Sequence, residues 1–407
     1  MNINITTETN RLNAVIVHTP GNEVSRVNPA TKDELLFDDI IYEADARKEH
    51  LGMLEVFKTA MPDREGVLEI TDLLAVCLEN EEARRFLVNQ IINHLPELNL
   101  HTIRKDLENL NGPALLEFVI TGTTKALPGF ILNPSPNLLF TRDLAAVIPN
   151  GIIISRPAKK ARLRESLMLE TLVKYHPLFK SVKEDAIYIG LEDSVEGGDI
   201  LVVSEDLVMI GMSERTTFSG IMSVANALLD RGIKNVMVVD IPKQRSSMHL
   251  DTIFTFCSPN ECIAYPPAIM ERKNNVVIMS KNDGDLITKS MPDVQSALEM
   301  TLGREFNFIK CGGEDLTNQH REQWTDGANV FALAPGVIVG YGRNSHTFDE
   351  LSKHGYTVMN QYDFIEKYRD KPFTPNQGDK LAITFEGAEL CRGRGGARCM
   401  TLPVSRD

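Results

Sequence analysis

The sequence predicts an α/β fold, and three observations carry that prediction. After residue 137 a polar residue, an apolar strand, a turn and a second apolar strand recur four times. Stretches of helical periodicity, at 161–175 and 219–231, lie between those hairpins. An apolar run over 11–19 reads as a buried opening strand, stopped by Pro20-Gly21.

The four hairpins share a format. Asp143 precedes the predicted strand 144–148, which turns at Pro149-Asn150-Gly151 and returns over 152–154. Asp199 precedes 200–203 and 207–210, Asp251 precedes 252–256 and 262–265, and Asp326 lies just before 330–333 and 337–339. The spacing is roughly 50–75 residues, and long repeats of hairpin units suggest a closed radial arrangement of ββαβ modules. Matching hairpin starts then converge on a central pocket. The alternative is a generic α/β sandwich in which the repetition is coincidence. Residues 43–60 read as an amphipathic helix, and 71–125 as short helices joined by polar or proline-containing links. The expected organisation is an α/β body of residues 1–70 and 126–407, with 71–125 as a helical insertion.

Composition bounds the function. The chain has 407 residues and a formal charge of -13, which argues against a nucleic-acid binder. No N-terminal basic segment leads into an apolar run, and no stretch nears the roughly 18 apolar residues of a membrane span. The six cysteines form no CxxC pair, and the histidines lack zinc-ligand spacing. A reduced, cytoplasmic protein without metal or cofactor is expected.

The chemistry gathers around the C-terminus. A chain end is usually a frayed polar tail. Here Arg392 to Cys399 hold three glycines and three arginines before the cysteine. Glycine lets a loop approach a ligand closely, and arginines bind carboxylates and favour a thiolate. Cys399 is the candidate nucleophile, and Cys391, outside the loop, is its weaker rival. An isolated Asp143 at a strand start is usually a turn or cap residue. Glu196-Gly197-Gly198-Asp199 brackets a glycine pair with carboxylates, as an acidic turn also would. His249 and Asp251, two apart on a predicted strand, project to one face, as a surface pair also would. Together these give a thiol, an imidazole and four carboxylates. That set suits attack on a cationic carbon such as a guanidinium, because buried acids would repel the oxyanion of a carbonyl substrate.

The motifs Phe140-Thr141-Arg142-Asp143, Glu196-Gly197-Gly198-Asp199, Met248-His249-Leu250-Asp251-Thr252 and Arg392 to Met400 resemble those of arginine deiminases. So do Leu36-Phe37-Asp38-Asp39-Ile40 and Glu322 to Asn329, in order along nearly the whole chain. The resemblance implies a five-bladed, pseudo-symmetric α/β propeller of the guanidino-group-modifying superfamily, with the helical insertion of this family. It implies hydrolysis of L-arginine to citrulline and ammonia, without cofactor, by a homo-oligomer (dimer or tetramer). By resemblance, Cys399 attacks the guanidinium carbon, and Asp143 and Asp251 clasp its nitrogens. His249 moves protons and Glu196 orients it. Asn137, Arg162 and Arg215 hold the substrate carboxylate, Phe140 packs on its stem, Asp199 belongs to the binding set, and Arg394 moves as the site fills. The residue before the nucleophile varies in the family, and here it is Arg398. An amidinotransferase, a methylarginine or agmatine hydrolase and a silent arginine-binding protein are the rivals. A papain-like hydrolase has Cys before His in the chain, the reverse of the order here.

Overall fold

Each hairpin predicted above forms, and a third strand joins it in parallel. The computed structural model describes residues 2–129, 131–376 and 378–407. Ala145–Ile148 and Gly151–Ile154 pair antiparallel, and Ala186–Tyr188 returns parallel to the second of them. A parallel return needs a crossover, which the helix Leu163–Tyr175 supplies. Ile200–Ser204, Leu207–Met212 and Asn235–Asp240 repeat the plan around the helix Phe218–Asp230. Phe254–Ser258, Glu261–Ala264 and Asn307–Lys310 repeat it again. So do Phe331–Ala334, Val337–Tyr341 and Leu381–Phe385, with Thr357–Asn360 added at the edge. In the fifth unit Leu12–Val17 pairs antiparallel with Leu402–Arg406 and parallel with Val67–Glu69, across the helix Glu43–Ala60. The two chain ends thus meet in one sheet.

These strands make five separate mixed sheets, and no closed sheet forms among the described residues. Buried apolar strands such as Ala145–Ile148 are covered on both faces, which explains their continuous rather than alternating hydrophobicity. The predicted helical stretch contains Ile70–Cys77, Glu81–His94, Arg104–Glu108 and Gly112–Thr121. Leu74, Leu87 and Phe118 from it share a hydrophobic cluster with Ile152 and Leu172.

Two readings need correction. His249 and Asp251 do not lie on a strand. Leu250–Thr252 is a tight turn, and the strand begins at Phe254. Thr252 Oγ1 donates to the His249 carbonyl at 2.6 Å and Asp199 Oδ1 accepts from Leu250 N–H at 2.8 Å. These side-chain bonds outcompete a ladder at that point. The hairpin Val276–Asn282 and Asp285–Met291 lies outside the four predicted ones and widens one sheet to five strands. Its turn does carry the Asp-Gly signal, with Asp283 and Gly284 both at positive φ.

Candidate active site

Asp143, Asp199 and Asp251 occupy equivalent places, each in a short turn just ahead of a hairpin: Thr141–Leu144, Gly197–Asp199 and Leu250–Thr252. All three are buried. The C-terminal loop reaches the same region. Asn329 Oδ1 accepts the Cys399 N–H at 3.0 Å, while its Nδ2 donates to the Asp251 carbonyl at 2.8 Å. Asp326 accepts the Gly395 N–H at 2.9 Å. A Cβ on Gly395 would stand 2.5 Å from Phe140 Cε1, so only glycine passes there.

One cavity is lined by Asn137, Phe140, Asp143, Arg162, Arg215, Met248, His249, Arg394 and Cys399, among others. It accommodates about 20 Å³, room for a water and not for an amino acid. Larger clefts lie elsewhere, including one of about 750 Å³ beside Glu261 and Lys380, but hold none of these residues.

The titratable groups stand close together. Both Asp251 oxygens lie 3.9 Å from Cys399 Sγ. Burial, then the charges of Asp251, Asp143 and Asp326, push the Cys399 thiol well above the ordinary range. His249 Nε2 is 2.8 Å from Glu196 Oε2, and its Nδ1 is 3.6 Å from Asp143 Oδ1. Burial alone would lower the His249 pKa; Asp143, Glu196 and Asp199 outweigh it and raise it to about 9. Burial alone would raise that of Glu196; Arg215, His249 and Arg162 hold it down at about 2. A Cβ on Gly198 would fall 2.7 Å from Asp143 Oδ1 and 2.8 Å from His249 Cγ. Gly198 therefore admits the protein's own acid and imidazole, while Gly197 admits the Arg142 and Ala145 carbonyls.

Arg162 is already engaged. Its Nη1 donates to Asp143, its Nε to Glu165 Oε2 at 3.0 Å, and its Nη2 to the Asn137 and Phe140 carbonyls at 3.1 Å each. It stands against the cluster of Asp143, Glu196 and His249, whose ligand-type atoms lie within 4.8 Å of one another. Arg215 Nη1 lies 3.6 Å from Glu196 while its Nε has no hydrogen-bond partner among the described residues. Arg394 has two unpaired nitrogens, Nε and Nη1. Asp143 Oδ1 and His249 Nδ1 face each other at 3.6 Å and make no hydrogen bond among the described residues. Asn137 Nδ2 donates to the Leu35 carbonyl at 2.8 Å.

Asp199, expected among the binding residues, does not line the cavity. Its carboxylate accepts from Ser213 and Thr216 hydroxyls at 2.6 Å each and from Leu250 N–H, so it fixes the turn beside His249. Cys391 also lies off the cavity, against Arg343, with its thiol pushed up by burial to about 11. Asn329, Asp326 and the Arg398 to Asp251 contact had no assigned role in the sequence reading. The Glu322 to Asn329 motif was the available signal for the first two.

The comparisons with known proteins agree. The arginine deiminase family model matches residues 115–406. The chain belongs to the arginine deiminase family. An arginine deiminase of Listeria monocytogenes serotype 4a is 35% identical over 431 residues, covering 100% of this chain and 98% of the relative. That of Borreliella afzelii is 32% identical over 426 residues, with 100% and 98% covered. Among solved structures, a dimethylarginine dimethylaminohydrolase adduct with S-methyl-L-thiocitrulline aligns with TM-score 0.51 at 16% identity, over 96% of this chain and 99% of that one. The Pseudomonas aeruginosa enzyme of that type complexed with citrulline gives 0.51 at 14% identity, with the same coverage. At such identities these two bear on the fold, and they agree with an α/β architecture of mixed sheets.

Proposed function

We propose that this chain hydrolyses L-arginine to L-citrulline and ammonia, with Cys399 as nucleophile. One observation carries the reading besides family membership. A single buried cavity holds a thiol, an acceptor at Asp143 Oδ1, an imidazolium N–H at His249 Nδ1, and donors on Arg215 and Arg394, none of these polar atoms hydrogen-bonded among the described residues. Free arginine is complementary to that set, with a guanidinium at one end and a carboxylate at the other.

Asp143 and Asp251 clasp the guanidinium nitrogens, Phe140 covers the stem, and Arg215, Arg394 and Asn137 take the carboxylate end. Arg162 joins them only by exchanging one of its present partners. The resting site holds a neutral thiol, since three carboxylates oppose its ionisation. An entering guanidinium reverses that field, and the thiol proton leaves to water. The thiolate attacks the guanidinium carbon, and the C=N electron pair moves to nitrogen. His249, raised to about 9, is an imidazolium at neutral pH and gives its proton to the departing ammonia. An amidino-thioether remains on Cys399. Neutral His249 then takes a proton from water, the hydroxide adds to the same carbon, and the adduct collapses with its hydroxyl proton passing to the departing sulfur, so that citrulline and the neutral thiol form together. Glu196 holds His249 in place throughout. A thiolate absorbance in the free enzyme at neutral pH, unchanged by substrate analogues, would contradict this order of events.

The five units read as blades of a pseudo-symmetric propeller, a reading supported by five sheets of matching plan and by the pairing of the two chain ends. Residues 71–125 read as an insertion in the body formed by 1–70 and 126–407. Six free cysteines suit a cytoplasmic setting. A homo-oligomeric assembly is testable by light scattering.

The deciding assay incubates purified protein with L-arginine and measures citrulline and ammonia, alongside Cys399→Ala and with agmatine and a methylated arginine as competing substrates. Equal amounts of both products, abolished in Cys399→Ala, are expected. Turnover of another guanidine alone would move the substrate. Binding without any turnover would sink the enzyme reading.

A further inference from the structure

Behind the nucleophile runs a buried charge chain that the reaction steps above leave unused. Arg398, the residue before Cys399, is 1% exposed. Its Nη1 donates to Asp251 Oδ2 at 2.7 Å and its Nη2 to the Ile200 carbonyl at 3.0 Å. Glu8 takes its other edge: Nε donates to Oε2, and Nη2 lies by Oε1, at 3.1 Å each. Glu8 is fixed in turn. Its N–H donates to the Val202 carbonyl at 2.8 Å, and its Oε1 accepts the Val202 N–H at 3.2 Å. The N-terminal segment is thereby tied, through one guanidinium, to the carboxylate that stands 3.9 Å from the thiol.

We infer that Arg398 and Glu8 form a positioning pair, which orients Asp251 towards the substrate and sets the charge standing behind the Cys399 thiol. The inference rests on Cys399 being the nucleophile. Arg398 occupies Asp251 Oδ2 and leaves Oδ1 with no side-chain partner but the thiol among the described residues. Its positive charge offsets one of the three carboxylates that oppose thiolate formation, and Glu8 offsets part of that positive charge. The thiol is also coupled by charge to Asp143, Asp326, Arg394 and Tyr341, and His249, Arg162, Arg215 and Arg245 line the same cavity. His249 and Asp143 also face Asp251, and Arg142 and Arg406 face Glu8.

The signs separate this role from packing. Removing Arg398 exposes the full charge of Asp251 and makes the thiol harder to ionise. Neutralising Glu8 leaves Arg398 less compensated and makes the thiol easier to ionise. Mere loosening of a buried network moves both variants the same way. The experiment measures the rate of Cys399 alkylation by iodoacetamide against pH, read by mass spectrometry on the Cys399 peptide. It also measures kcat and KM for L-arginine, in wild type, Glu8→Gln, Arg398→Met and Arg398→Lys.

The Arg398→Met midpoint should move up and the Glu8→Gln midpoint down, each by about one pH unit. In Arg398→Met kcat should fall by at least about ten-fold, with Arg398→Lys regaining part of it and keeping a near wild-type midpoint. If Arg398→Met fails to fold, a lowered Glu8→Gln midpoint beside an Arg398→Lys midpoint near wild type still decides. Shifts of one sign, or none, in variants with wild-type melting curves would overturn the pair. Wild-type protein fully alkylated at Cys399 yet still producing citrulline would overturn the nucleophile assignment, and the pair with it.

Discussion

The guanidinium carbon of Arg394 lies 3.7 Å from the centroid of the Trp324 ring. Arg394 sits at φ 63°, and its Nη2 donates to the Ser246 carbonyl at 3.3 Å. It is held beside the cavity by a cation–π contact and one hydrogen bond, with its other two nitrogens unpaired. Such a contact is worth about 0.5–2 kcal/mol, less than a charge-assisted pair with a substrate carboxylate in a dry site. Trp324, 45% exposed, is the chain's single tryptophan. Adding L-arginine to Cys399→Ala should therefore change tryptophan emission as Arg394 leaves the ring. In a Cys399→Ala/Arg394→Ala double variant the change should vanish. An equal change in both proteins would contradict the movement.

Asp199 should behave as a structural acid rather than a binding one. Ser213 Oγ already accepts the N–H groups of Arg215 and Thr216 at 2.9 and 3.1 Å, so its own proton must point at Asp199. Asp199→Asn would set an amide N–H against those hydroxyl donors or against the Leu250 N–H. The expected cost is about 1–3 kcal/mol of stability, read by denaturant unfolding, with kcat lowered through a loosened His249 turn. A variant with unchanged stability and a raised KM alone would return Asp199 to the substrate.

The pH profile follows from His249. Its proton is needed at ammonia departure, and it is held to about 9 chiefly by Asp143 and Glu196 against the cost of burial. Activity should fall as pH rises through about 9, where the imidazolium is lost. Glu196→Gln removes one of the charges that hold the proton and should move that limb to lower pH. An alkaline limb that stays put in Glu196→Gln would contradict the assignment.

His50 gives an acid sensitivity remote from the chemistry. It is fully buried, and both ring nitrogens lack hydrogen-bond partners among the described residues. Burial pushes it down to about 3. Below pH 6.5 the unfolded chain takes up a proton that the folded chain refuses. Its contribution to stability is complete above 6.5 and falls by about 1.4 kcal/mol per pH unit on the way down towards 3. His50→Phe should flatten stability over that window. Unchanged acid dependence would place the sensitivity elsewhere.

Much of this arrangement was legible in the sequence, and the reason is local. Alternating turn residues and apolar runs mark each hairpin before any tertiary contact is known, and the four aspartates stand at their starts. Cys399, His249, Glu196 and Asp143 converge because equivalent turns of different units meet at one place. What local pattern could not give is what each side chain faces once buried. Asp199 looks like Asp143 in sequence, but Ser213 and Thr216 claim it. The His249 and Asp251 spacing matches a strand, but the Thr252 hydroxyl turns the backbone there. Arg398 looks like one more loop arginine; its role depends on Glu8, 390 residues away along the chain.

The most direct test of the account is to trap the covalent intermediate. Acid quenching during L-arginine turnover, followed by tryptic digestion and mass spectrometry, separates the two candidate thiols because cleavage after Arg392, Arg394 and Arg398 parts Cys391 from Cys399. An amidino adduct on the peptide beginning at Cys399, absent without substrate, is expected. An adduct on Cys391, or none on either while citrulline accumulates, would contradict Cys399 as the nucleophile.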